Sequence, residues 1–390
     1  MTAEKRRAGP LACVIGPIEV VRALGLAGIR SAVVARPGSP TRDSRYTTRV
    51  VPWVDPWKQP EEFVARLIGF GSGQPEKPVL YYSADWDLLV VSRFREQLRD
   101  AFRFVVADSG LVEDLVDKAR FQALAERLDL PVPRGQSLSP ASGATPEDVH
   151  LRFPLVLKPL TRQHETWRPI SIGKALAIRS REALGELWPR LVELQLDVLV
   201  QEIVEGPESL IESYHAYVDE SGQIAGEFTG KKIRTYPSEF GYSTALVITD
   251  DPEVAALGRT LLARLNLEGV SKFDFKRGSD GSLHLLEINP RFNLWHHPAA
   301  RAGVNLPALV YDDLVGRPRH SAGRARAGVR WCSLRHDVQA AKADGIGFVR
   351  WLRWMWGVEV KSPFAWSDPL PFVLGVLGAR VRSLGARKVN

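Results

Sequence analysis

The segment VSKFDFKRGSDGSLHLLEINPRFN carries two alternating runs on either side of an Asp280-Gly281 dipeptide. Asp-Gly is the residue pair favoured by two-residue type I′ turns, so the segment predicts a β-hairpin. With Asp280 and Gly281 as the loop, Ser279 faces Ser282, and counting outward sets Asp274 opposite Glu287 and Lys272 opposite Asn289. The other face pairs Phe273 with Ile288 and Phe275 with Leu286 and is apolar and core-facing. Two carboxylates directly opposite each other destabilise a sheet. A hard divalent cation removes that conflict, because magnesium takes carboxylate and carbonyl oxygens together with the phosphates of a nucleotide. Asn289-Pro290-Arg291 then adds a positive charge at the end of the strand. Without a cation, the same residues would form a solvated polar face in a strained register.

The elements that position this hairpin belong to a chain of 390 residues, long enough for two or three compact units. Hydrophobic residues at 45% and charged residues at 25% exclude a disordered or fibrous protein. Cys13 and Cys332 are the only cysteines, which rules out a disulfide framework and fits a reducing compartment, so a cytoplasmic location is expected. The N-terminus begins with basic residues, but its apolar run is short and Glu19 follows soon after, so no secretory signal is read there. No stretch reaches the roughly 18 uncharged residues of a membrane-spanning helix.

Along the chain, LACVIG at 11–16, the amphipathic stretch with Val20, Val21, Leu24 and Leu26, and SAVVA form a β-α-β opening. It lacks GxGxxG, so a dinucleotide site is not indicated. VLYYSAD at 79–85 and FRFVVAD at 102–108 read as further strands of one open sheet, giving an α/β unit over 1–109. The helical spacing of GLVEDLVDKARFQALAERLDL stops before Pro131, and the Pro-, Ser- and Gly-rich stretch to Pro146 reads as a connection. FPLVLKP at 153–159 is a strand with Val156 and Lys158 on one face, and LDVLVQEIVEG at 196–206 is another. The remaining boundaries fall at 110–195, 196–320 and 321–390. The last region holds twelve Lys or Arg against four Asp or Glu, and five of the 11 Trp.

Glu287-Ile-Asn289-Pro-Arg291 resembles the E-x-N-P-R signature of the ATP-grasp superfamily, preceded by that family's acidic metal-binding strand. Lys118 in DKARF and Lys158 in VLKP resemble its two phosphate-contacting lysines, and Gln201-Glu202-Ile203-Val204 resembles its adenine-recognising segment. The order and spacing of these matches over about residues 110–315 carry the resemblance, which is to the D-aspartate ligase and carbamoyl-phosphate synthase large-chain branch. GKKIRTYPSEFGYST at 230–244 fits the same branch.

The resemblance implies an α/β fold, α+β in its catalytic part. It comprises an N-terminal open parallel-sheet pre-ATP-grasp domain, a two-subdomain ATP-grasp fold and a helical C-terminal appendage. It implies ATP and Mg2+ as cofactors, with Mn2+ as the alternative ion. Asp274, Glu287 and Asn289 would hold the metal, and Lys118, Lys158 and Arg291 would contact phosphates, the last two in catalytic roles. Glu202 and Val204 would bind adenine through side chain and backbone, with Gln201 and Ile203 beside them, and Glu205 would accept from the ribose. Lys231, Lys232 and Arg234 are candidates for phosphate or an anionic substrate, against the reading of a basic turn between strands. The loop LTRQHETWRPISIGK departs from the family's Gly- and Ser-rich pattern with His164, Trp167 and Arg168, so a different closure is expected.

His296 and His297 invite a metal reading, but adjacent residues point in different directions, and one of them lining an acceptor pocket near Trp295 and Arg301 is favoured. No GxSxG, HExxH or paired CxxC supports a hydrolase or a zinc enzyme. In the tail, FVRWLRWMWG at 348–357 and the stretch 369–388 combine Trp, apolar and Arg residues. Packing on the core is the favoured reading, with peripheral membrane contact through 348–388 as the alternative. A nucleic-acid partner is not expected. The expected activity is carboxylate–amine ligation of small-molecule substrates through an acyl phosphate, releasing ADP and phosphate, with a homodimer allowed. The alternatives are an ATP-grasp phosphotransferase or carboxylase, or a non-catalytic, membrane-associated ATP-binding module.

Overall fold

The computed structural model describes residues 9–160, 164–171, 173–319 and 323–375. The first sheet holds β1 (Ala12–Ile15), β2 (Ser31–Ala35), β3 (Thr47–Pro52) and β4 (Val79–Tyr82), all parallel in the order β3-β2-β1-β4. β1, β2 and β4 are buried along their whole length, as expected for a parallel sheet covered on both faces. The helix Ile18–Leu26 packs Val20, Val21 and Leu24 on one face, and the helix Pro60–Ser72 packs Phe63, Val64 and Leu67 on the other.

The expected strand at 102–108 does not form. Arg103 makes a single parallel bridge to Val79, while Phe102 and Phe104 enter the same core, so the apolar signal is satisfied by burial without a ladder. The helical stretch after it is two helices, Ser109–Val116 and Lys118–Arg127. Asp117 separates them, because its carboxylate accepts from the N–H groups of Ala119 and Arg120 and caps the second helix. That cap places Lys118 at the first helical position.

The second sheet contains β5 (Gly135–Leu138), β6 (Leu155–Pro159), β7 (Leu176–Ile178) and β8 (Val198–Glu202), antiparallel in the order β5-β8-β6-β7. Leu155, Leu157, Val198 and Val200 face the helix Arg181–Glu193, leaving Val156 and Lys158 on the opposite face. β8 pairs with both β5 and β6, so residues 198–202 belong to this smaller sheet, which moves the boundary expected at 195/196 beyond Glu202.

The third sheet has seven strands, β9 (Ile211–Val218), β10 (Ile224–Tyr236), β11 (Tyr242–Thr249), β12 (Gly269–Arg277), β13 (Leu283–Asn289), β14 (Arg330–Ser333) and β15 (Val360–Ser362). Their order is β13-β12-β9-β10-β11-β14-β15. The C-terminal region, read from sequence as a helical appendage, contributes two strands to this sheet as well as the helices Leu334–Ala343 and Phe348–Trp356.

The hairpin of β12 and β13 forms with a different turn. Gly278 N–H donates to Ser282 O at 2.8 Å, so the loop is three residues, Ser279 to Gly281. Gly281 takes the positive φ of 85° that such a loop requires at its last position. A bulge between Asp274 and Phe275 then absorbs the extra residue, pairing Phe275 with Leu285 and leaving Leu286 as the inserted residue. Beyond the bulge the register is Asp274 to Glu287, Phe273 to Ile288 and Lys272 to Asn289. Phe273, Phe275, Leu285 and Ile288 are buried against the helix Pro252–Leu265.

Candidate functional site

On the polar face of the large sheet, β12 presents Lys272, Asp274 and Lys276, with Ser213 of β9 directly across from Asp274. Asp274 is buried, and its Oδ2 lies 2.5 Å from Lys272 Nζ and 3.6 Å from Lys232 Nζ. Ser213 Oγ donates to its Oδ1. Lys272 Nζ is also 3.8 Å from Glu287 Oε1, so one ammonium sits between the opposed carboxylates. Burial alone would raise the Asp274 carboxyl, but Lys272, Lys232 and the Ser213 hydroxyl hold it well below the usual range. Glu287 is lowered likewise, with Lys174 and Lys272 outweighing burial.

Asn289 Nδ2 donates to Glu287 Oε1 at 3.1 Å, and its Oδ1 accepts from Arg291 at 3.0 Å. Arg291 reaches back to the first sheet, donating to Ser83 O at 2.7 Å and to Asp85 Oδ1 at 2.6 Å, just past the end of β4. The signature strand is thereby tied to the N-terminal unit.

From the smaller sheet, Lys158 Nζ donates to Gln201 Oε1 at 2.6 Å, and Gln201 Nε2 donates to Gln122 Oε1 at 2.7 Å. Burial pushes the Lys158 ammonium down to about 8, which the Glu287 charge only partly opposes. Lys118 Nζ donates to Pro159 O at 2.7 Å, beside the end of β6. Glu202 accepts from Arg152 N–H at 3.2 Å and from its guanidinium at 3.3 Å, with Arg134 at 3.9 Å. Burial alone would raise the Glu202 carboxyl; the arginines lower it. Ile203 N–H is engaged with Pro154 O at 3.1 Å, Val204 follows the strand end, and Glu205 is exposed.

Two of the basic residues expected here lie elsewhere. Strand alternation turns Lys231 to the opposite face, where it lies 3.5 Å from Glu212, and puts Lys232 on the Asp274 face. Arg234 is consumed in a buried pair with Asp337, at 2.9 and 2.6 Å. His296 and His297 are both buried, and His296 packs among Phe292, Phe228 and His215. Among the described residues no group of three or more His, Cys, Asp or Glu is placed to hold a metal. In the loop after β6, Thr161 to Gln163 and Ile172 lie outside the described residues, as does the side chain of His164. Trp167 is buried and donates to Gly173 O at 2.9 Å.

Lys272, Lys174 and Ser213 were not singled out from sequence as site residues. The alternation of Lys272 with Asp274 was a usable signal, whereas Ser213 comes from a strand more than fifty residues earlier and carried none. A cavity of about 330 Å3 opens at the C-terminal ends of β1 to β4, lined by Ile15, Arg36, Trp53, Ala84, Trp86 and Asp87 among others. The Arg36 guanidinium lies 3.6 Å over the Trp53 ring, and burial pushes Asp87 up to about 7. This is the crevice where open parallel sheets bind ligands.

Residues 196–336 match the family model described as "ATP-grasp in the biosynthetic pathway with Ter operon". The chain is 26% identical to a D-aspartate ligase of Enterococcus faecium over 296 residues, covering 71% of this chain and 68% of that protein. In sequence and in fold the chain is similar to ATP-grasp enzymes. Its relatives support an ATP-dependent, ADP-forming ligase. A D-alanine–D-alanine ligase of Pseudomonas putida is 24% identical over 51% of this chain and 62% of its own length. Among solved structures, the ADP complex of an N5-carboxyaminoimidazole ribonucleotide synthetase superposes with a TM-score of 0.62 at 15% identity, over 83% of this chain and 81% of that one. An L-amino acid ligase from Bacillus licheniformis gives 0.60 at 13%, over 82% and 77%. At such identities these two show the ATP-grasp fold alone.

Proposed function

We propose that this ATP-grasp ligase joins a small carboxylate to an amine, activating the carboxylate as an acyl phosphate at the Asp274–Glu287 site. The observation that carries the reading is the pair of opposed carboxylates held ionised by a lysine between them. Asp274, Glu287 and Asn289 supply hard oxygen donors, and the ammonium beside them occupies the charge role that a divalent cation fits. These residues would hold Mg2+ with the nucleotide, and the ion would neutralise charge on the transferring phosphoryl group.

The chain's own residues do the rest. Lys158 approaches the phosphates from the smaller sheet, Lys118 from the start of the helix Lys118–Arg127 beside it, Lys232 and Arg291 from the larger sheet, and β8 with the residues after it borders the base. The substrate carboxylate attacks the γ-phosphate, ADP leaves, and the amine displaces phosphate from the acyl carbon. Positioned cations stabilise the moving charge, so no protein nucleophile is required. The cavity over β1 to β4 offers room for a substrate body, and the Ser83 to Asp87 segment that borders it also grips Arg291.

The test is ADP release over paired panels of carboxylates and amines, with hydroxylamine as a trap. ADP formation that needs both partners, with a hydroxamate when hydroxylamine replaces the amine, supports the reading. A phosphorylated product formed without any amine, or a bicarbonate requirement, favours the phosphotransferase or carboxylase alternative. Nucleotide binding with no turnover over the whole panel favours a binding module.

A further inference from the structure

Eight of the fifteen large apolar side chains that stand exposed among the described residues lie between Phe348 and Leu374. Such concentration marks a contact surface, whereas scattered exposed hydrophobics do not. On the helix Phe348–Trp356 they form one stripe. At 3.6 residues per turn, Phe348, Leu352, Trp356 and Val349 fall within an arc of about 100°. Their exposures are 62%, 41%, 83% and 62% respectively. Arg353 borders the stripe, about 40° beyond Val349, and Arg350 follows about 60° further round the helix; both are exposed.

The stripe is held in place from behind. Trp351 is buried and donates to Asp337 Oδ2 at 2.8 Å, and Trp354 lies against Arg234 at 3.8 Å, the same Arg234 that pairs with Asp337. The second exposed group, Trp366, Leu370, Val373 and Leu374, flanks a similar anchor. Asp368 is fully buried and accepts from Arg22 Nε at 3.0 Å, Ser44 Oγ at 2.8 Å and Arg45 N–H at 2.8 Å.

The geometry points to a peripheral docking face for an anionic lipid surface. Charge selects this occupant. Residues 348–358 contain no acid, and the next one, Glu359, is paired with Arg326 at 2.8 Å. A second copy seated symmetrically on the stripe would bring Arg350 and Arg353 toward their own duplicates. An acidic headgroup layer meets the arginines, while Trp, Phe and Leu enter the acyl boundary, the division of labour of an in-plane interfacial helix. No helix among the described residues is long and apolar enough to cross a membrane, which agrees with in-plane contact. The residues after 375 add four Lys or Arg and no acid to the sequence.

The test uses the full chain and sedimentation with vesicles of phosphatidylcholine, alone or mixed with phosphatidylglycerol. Binding to the anionic mixture at least about tenfold tighter than to phosphatidylcholine, weakening with salt, is expected. Leu352→Glu with Trp356→Glu should abolish it without lowering the melting temperature, and Arg350→Ala with Arg353→Ala should remove the lipid preference. Quenching of wild-type tryptophan emission by lipid brominated in its acyl chains supplies a readout that needs no variant. Absence of both quenching and anionic preference overturns the proposal. So does a wild-type dimer that the glutamate variant splits while neither form binds vesicles, since the stripe would then be a self-interface.

Discussion

Asp274 and Glu287 stand directly opposite each other across β12 and β13, and the Lys272 ammonium lies 2.5 Å from one carboxylate and 3.8 Å from the other. This ammonium, from the same strand, offsets the repulsion between the two carboxylates. Lys272→Met leaves two carboxylates facing one another, one of them buried. It should cost about 3 kcal/mol of stability in metal-free buffer, the scale for breaking a buried ion pair. Mg2+ should then raise the melting temperature of the variant more than that of the wild type. Equal shifts in the two proteins would remove Asp274 and Glu287 from the metal site.

Lys158 titrates where it can be seen. Burial pushes its ammonium down to about 8, so the charge is present below that pH and is lost as pH rises through it. If the ammonium binds phosphate, kcat/KM for ATP should fall about tenfold per pH unit above the transition. Lys158→Arg keeps the charge and should flatten that limb even if the maximal rate drops. A wild-type profile flat to pH 10 would count against the assignment.

Arg291 is held by Asp85, Ser83 O and Asn289. Asp85→Asn weakens the clamp and leaves the guanidinium charge in place. The expected result is a kcat lowered about tenfold with KM for ATP changed less than threefold, as for an interaction that positions a group for the transition state. Arg291→Ala should lower kcat further. An Asp85→Asn enzyme with unchanged kcat would confine the contact to structure.

The Arg22–Asp368 pair is buried on both sides. Asp368→Ala leaves the guanidinium without its counter-charge and should destabilise the protein by about 3–5 kcal/mol in denaturant unfolding. Asp368→Asn keeps one acceptor oxygen, which can serve Arg45 N–H or the Ser44 and Arg22 side but not both, and should lose less.

The parts of this protein that rest on local chemistry were legible in its residues. Continuous apolar runs gave β1, β2 and β4 of the first sheet but not β3, whose half-exposed TTRVVP carries no such run; alternation gave the two faces of β6 and of the hairpin, and the Glu287-Ile-Asn289-Pro-Arg291 run pointed to the superfamily. The Asp274–Glu287 register came from a turn that is one residue longer than expected and a bulge that takes up the difference, two deviations that cancel.

Which distant groups meet was settled by folding and not by local pattern. Face assignment depends on strand pairing, so Lys231 turned away to Glu212 and Lys232 turned to Asp274, although the two are neighbours in sequence. Arg234 was withdrawn by Asp337, an acid 103 positions further along. β8 joined the smaller sheet because its ladder partners are β5 and β6, and FRFVVAD gave up its strand because burial of its phenylalanines did not require one. Local patterning fixes which side of an element is apolar. Long-range pairing of backbone and charge fixes what that side faces.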